Sequence, residues 1–249
     1  MRTERTERAR AFRSGRRVAG VEGKRRGEAN RRTRRNALAL SVLSVLSVPA
    51  AAAQSPESIL ARAEAAYQRA GTFRADFVQI IVNPMLGGPE ETRGTIALDP
   101  PNRFAMRFTE PAGDRIIADG TWLWIYAPSS TEGQVIRQPI PVSGPVSPNL
   151  VAQFVERPLE RYQVSYVGPD SVAGRLVDVV RLVPHDPDFP FRRADVAIDR
   201  ETGLLRRLGL VERSGQGRTL VFHNVETGVT IPNRVFAFEV PKGVKVVTP

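Results

Sequence analysis

Two histidines, His185 and His223, are the only imidazoles in the 249 residues, and cysteine is absent. Neither histidine has the His/Glu spacing by which helices hold zinc, and without thiols there is no disulfide, thiolate zinc site or cysteine nucleophile. His185 lies in the loop Pro184-His185-Asp186-Pro187-Asp188. Asp186 and Asp188 could form an acid–base pair there, although carboxylates that follow prolines are more often solvated turn residues. His223 falls within a strand pattern. The sequence carries no P-loop, no G-x-G-x-x-G, no G-x-S-x-G and no H-E-x-x-H, and Gly215-Gln216-Gly217 reads as a hairpin tip. No metal or cofactor is implied, and the chain reads as a non-enzyme.

A formal charge of +10 would ordinarily suggest a nucleic-acid or membrane partner. Residues 1–53, however, hold 14 Lys and Arg against 4 Asp and Glu, which leaves 22 of each sign in 54–249. The excess lies wholly in the leader, so no nucleic-acid partner is expected. The apolar run from Ala37 to Val48 (ALALSVLSVLSV), then Pro49 and four alanines, has the layout of a secretory signal peptide. Ala51 and Ala53 are placed for cleavage between Ala53 and Gln54. A run of about 12 residues, roughly 18 Å as a helix, is too short to span a bilayer. Thr33-Arg34-Arg35-Asn36-Ala37-Leu38 partly matches a twin-arginine signal, with an ordinary Sec leader as the other route. Residues 1–53 are therefore read as a cleaved leader and 54–249 as one domain, monomeric and exported.

The elements of that domain follow from period and punctuation. Ser55, Pro56 and Glu57 open a helix that Gly71 can end, with Ile59, Leu60, Ala63 and Tyr67 on one face. A second helix is predicted over 149–155, ended by Pro158. Nearly everything else alternates with period two, giving strands at 72–82, 92–99, 103–109, 114–119, 121–127, 134–138, 161–168, 174–183, 193–199, 204–213, 218–226 and 235–240. Asp119-Gly120 is a two-residue hairpin turn and Asp199–Gly203 a longer one. The fold class is mainly β with helices (α+β), a large curved antiparallel sheet or open barrel. Phe104, Met106 and Phe108 share one strand face. Trp122, Trp124 and Tyr126 share another, and Phe73, Ala75, Phe77 and Ile81 a third. Pattern alone favours a filled core over an enclosed ligand cavity.

Three stretches resemble the periplasmic outer-membrane lipoprotein carrier family, in order and along nearly the whole mature chain. The first is Phe73-Arg74-Ala75-Asp76-Phe77-Val78-Gln79. The second runs from Gly94 through Pro101-Asn102-Arg103-Phe104, Pro111, Ile116 and Asp119-Gly120 to Leu123-Trp124-Ile125-Tyr126-Ala127-Pro128. The third is Phe236-Ala237-Phe238-Glu239-Val240-Pro241-Lys242-Gly243-Val244-Lys245-Val246. The resemblance implies an unclosed β-barrel covered by a helical lid, with an apolar cavity between them. It implies a soluble periplasmic carrier that takes acylated lipoproteins from an inner-membrane ABC transporter and passes them to an outer-membrane acceptor. A carrier or sensor of another envelope lipid on the same fold is the alternative. By position it assigns Phe104, Met106, Phe108, Ile116, Trp124, Leu150 and Phe154 to the cavity. One departure stands out: some members have an arginine before Pro-Asn that contacts the lid, whereas here Pro100 holds that register, with Arg103 and Arg107 the arginines nearby.

Overall fold

The computed structural model describes residues 55–85, 87–140, 151–189 and 191–249. The predicted leader, its cleavage site at Ala53 and Gln54, and Leu150 lie outside the described residues.

Helix α1 (Pro56–Ala70) starts as its sequence dictates, with Ser55 Oγ accepting from the Ser58 N–H at 3.2 Å. Strands β1 (Phe73–Val82), β2 (Glu90–Asp99), β3 (Arg103–Glu110), β4 (Arg115–Asp119), β5 (Trp122–Tyr126) and β6 (Gln134–Pro139) follow as a meander. Helices α2 (Ala152–Val155) and α3 (Pro158–Arg161) come next, then strands β7 (Tyr162–Val172), β8 (Arg175–Pro184), β9 (Phe191–Asp199), β10 (Leu205–Glu212) and β11 (Gly217–Thr227). A 3-10 turn at Asn233–Phe236 leads to β12 (Lys245–Val247).

The twelve strands among the described residues join one sheet in the order β12-β6-β5-β4-β3-β2-β1-β11-β10-β9-β8-β7. The order has two free ends, so the barrel does not close. β1 pairs with both β2 and β11 and thereby splices the two meanders. The sheet is mixed rather than purely antiparallel, because β12 pairs with β6 in parallel.

One face of the sheet, together with α1 and α2, encloses the main core. Ile59, Leu60, Ala63 and Tyr67 of α1 meet Phe73, Phe77, Ile96, Leu98, Val180, Leu182, Val196 and Phe222 there. We call this the inner face. Gly94 shows how closely β2 and β3 approach, since a Cβ there would stand 2.0 Å from the Arg107 carbonyl oxygen. That contact accounts for glycine at this point of the strand.

Two predicted elements are corrected. The stretch 235–240 is no strand: Pro232 and Pro241 bracket it, its first residues are the 3-10 turn, and the sheet takes up Lys245–Val247 instead. Pro158 does not simply end the second helix but occupies the first turn of a third, with Arg157 between them in the left-handed region at φ 43°.

Candidate functional site

The inner face is an apolar surface built from alternate residues of adjacent strands. Phe104, Met106 and Phe108 stand in one row on β3, and Ile116 with Ala118 in the next on β4. On β5 the inward residues are Leu123 and Ile125, which pair with Ala118 and Ile116. Phe108 meets Phe77 of β1 edge to face at 5.3 Å. From the helical side Phe154 of α2 is fully buried among Tyr162, whose ring lies 6.3 Å away, and Phe191 at 5.6 Å.

Phe104, Met106, Phe108, Ile116 and Phe154 are thus brought together in one cluster. Trp124 is not. It lies on the opposite face of β5, stacked on Phe238 at 5.1 Å, with its indole N–H donating to Asp119 Oδ2 at 2.8 Å. The strand register decides this, because Trp124 pairs with Ile117 and not with Ile116. Leu123 and Ile125 fill the inner position instead.

The outer face of β2–β5 is covered by the chain's own last stretch. Ile231 and Phe236 pack on Ala97, Ala105 and Ile117. Arg103 donates to Asn233 Oδ1 at 2.7 Å and sits over Phe236, and Arg107 donates to the Val235 carbonyl at 3.0 Å. Arg115 lies 5.1 Å from both the Tyr126 and Phe238 rings, and Arg137 4.7 Å from Trp122. The two arginines nearest the Pro-Asn pair therefore bind the C-terminal stretch on the outer face and leave the helices to other contacts. Among those contacts are the Tyr162 hydroxyl, which donates to the Gln153 carbonyl at 3.1 Å, and Glu64 of α1, which accepts from the Arg157 N–H at 3.1 Å. Burial pushes the Tyr162 phenol up to about 12, with Arg161 opposing.

The polar residues weighed as chemistry stay apart. Asp186 Oδ1 accepts from the Asp188 N–H at 2.8 Å, a turn bond in an exposed loop. His185 is exposed in the same loop, while His223 sits on β11 opposite Asp76. Among the described residues no three metal-binding side chains come together.

The family model for the outer membrane lipoprotein carrier protein LolA matches residues 68–239. An outer-membrane lipoprotein carrier protein of Vibrio campbellii is 27% identical over 176 residues, covering 71% of this chain and 79% of its own. One from Chromobacterium violaceum is 26% identical over 197 residues, covering 79% and 91%. The crystal structure of a LolA superfamily protein from Nitrosomonas europaea aligns with a TM-score of 0.39 at 14% identity, over 74% of this chain and 98% of that one.

Proposed function

The chain belongs to the outer membrane lipoprotein carrier family, and on that premise we propose that it carries acylated lipoproteins through the periplasm, their acyl chains lying against the inner face. The observation that carries this reading is the cover. The apolar residues of the inner face share one cluster with α1 and α2, α1 packs against β7, β8 and β9, and two of the three helices among the described residues are only four residues long. Short helices have little stability of their own and depend on packing, so such a cover can be displaced. Each CH₂ of an acyl chain taken from water is worth about 0.8 kcal/mol. A long chain could therefore not be left exposed between two membranes. Non-directional contacts with phenylalanine, methionine and aliphatic side chains suit a cargo that must later be released.

In this reading residues 1–53 are removed on export. The carrier receives its cargo from an inner-membrane ABC transporter, which supplies the energy, and delivers it to an outer-membrane acceptor. No helix among the described residues is long and apolar enough to cross a membrane. The test is release: the protein, added to inner-membrane vesicles with the transporter and ATP, should bring a triacylated lipoprotein into the supernatant. Lipoprotein that stays with the vesicles, while an established carrier releases it in parallel, would overturn the proposal.

A further inference from the structure

Along four adjacent strands the inward rows change character at the same end. β1 reads Phe73, Ala75, Phe77 and then Gln79; β2 reads Leu98, Ile96, Gly94 and then Thr92. β11 reads Phe222, Leu220 and then Arg218; β10 reads Leu208, Leu210 and then Glu212. The four polar ends are joined. Gln79 Nε2 donates to Thr92 Oγ1 at 3.1 Å, and Arg218 Nη1 donates to Gln79 Oε1 at 3.1 Å. Arg218 Nη2 reaches Glu212 Oε1 at 3.4 Å, and Gln216 Nε2 donates to the same oxygen at 3.3 Å. Ile81 alone returns to the β1 row beyond this level, half-buried at the strand end.

A strand end that merely meets solvent would leave its polar groups to water. Here Gln79 is only 5% exposed, and both ends of its amide are held by side chains. The Arg218 and Glu212 side chains are each about one-third exposed, 33% and 32%, so the network stands at the mouth of the apolar face and remains reachable. Its contacts use two of the five guanidinium N–H groups, and the 3.4 Å reach to Glu212 is long for a charge-assisted bond. A diacylglyceryl group has the complementary layout. Its chains are apolar, and each ends in an ester carbonyl that accepts hydrogen bonds and donates none. Burying the chains to their ends takes those carbonyls from water, which costs free energy unless donors replace it.

We propose that Arg218, with Gln79, Thr92 and Glu212 around it, forms a polar subsite for the ester carbonyls of a diacylglyceryl ligand whose chains run along the inner face. The subsite rests on the carrier reading and adds a direction to it, with the ester end at Arg218 and the chain ends toward Phe73 and Phe222. Glu212 and Gln79 hold the guanidinium in place while the site is empty.

The test compares two lipopeptides of equal chain length, one with a diacylglyceryl-cysteine and one with the ether-linked dialkyl analogue. Binding is read as displacement of a fluorescent naphthylamine probe. The native protein should prefer the ester by about tenfold, as a hydrogen bond to a charged donor implies. Arg218→Met should bring the ester down to the ether, and Arg218→Lys should fall between. Equal binding of ester and ether by the native protein would overturn the subsite, and that comparison needs no variant to fold. Phosphatidylglycerol of the same chain length separates two sources of the linkage: binding equal to the lipopeptide assigns the subsite to diacylglyceryl esters generally, and weaker binding to lipoproteins. If the probe binds and neither lipopeptide displaces it, the carrier reading itself falls, and the subsite with it.

Discussion

Asp199 ends β9 with no exposed surface. It accepts from Arg175 Nε and Arg206 Nε, both at 2.9 Å, and from the backbone N–H groups of Glu201 and Thr202 in the following turn. Burial by itself would push its carboxyl up. The Arg175 bond, the two turn N–H groups and the charge of Arg206 outweigh it and hold the group well below the usual carboxylate range. The folded state therefore keeps this carboxylate ionised where the unfolded chain, with a pKa of about 3.9, already takes up a proton. Its stabilisation is complete above that value and is lost as the pH falls below it. Urea midpoints should hold nearly constant from pH 7 to about pH 5 and drop below about pH 4. Asp199→Ala should cost about 3–5 kcal/mol at neutral pH, because Arg206, with 13% of its side chain exposed, loses its counter-charge. The same variant should show a shallower acid limb. A variant as stable as the native protein at pH 7 would contradict this account.

At the scale of elements, the same aromatic-rich strands serve two faces, and the faces should respond differently to substitution. Met106 and Phe108 lie on the inner face, whereas Trp124 lies outside under Phe238, where the last stretch of chain crosses β2–β5. Met106→Asp should abolish displacement of a bound acyl probe by lipopeptide. Trp124→Ala should lower stability by about 3 kcal/mol, within the range for deleting a large aromatic, and leave acyl affinity within about twofold. Loss of acyl binding in a folded Trp124→Ala protein would refute the division. Parity was legible from the sequence, and so was a hairpin after β4, but its turn lies one residue later than the Asp-Gly pair foretells: Asp119 still ends β4, Gly120 and Thr121 make the connection, and Asp119 accepts from the Thr121 and Trp122 N–H groups. Which parity faces inward was not legible for β5, because both sides of Trp122-Leu123-Trp124-Ile125-Tyr126 are apolar. For 235–240 the alternation of Phe236 and Phe238 was real, yet it arises from a segment lying across the sheet rather than paired within it. Period-two burial reports a face, and only the ladder of a neighbouring strand distinguishes the two cases.

For the whole molecule, the inner face is already occupied by its own side chains. Phe104 and Met106 are each only 5% exposed, and Phe154, Ile59 and Leu60 have no exposed surface, so an acyl chain can reach this core only if part of the molecule moves. The strands are poor candidates: β8 and β9 are paired on both sides and contribute Val180, Leu182, Val196 and Ile198 to the core. Helix α1 has fifteen residues and is anchored beside Asp178 through Arg62 at 3.6 Å. The α2–α3 segment has two four-residue helices, the left-handed Arg157 between them, and the Tyr162–Gln153 and Glu64–Arg157 hydrogen bonds. It is the least costly piece to displace, and the chains that take the place of Phe154 would offset the apolar burial it gives up. Hydrogen exchange should therefore speed up across 152–161 when a diacyl lipopeptide is added, while 177–183 and 191–198 keep their protection. Tyr162→Phe, which removes the hydrogen bond to the Gln153 carbonyl, should raise exchange in 152–161 of the empty protein and quicken loading several-fold, since a lost hydrogen bond is worth about 1 kcal/mol. Unchanged exchange across 152–161 in the loaded protein would place the entrance elsewhere on the sheet.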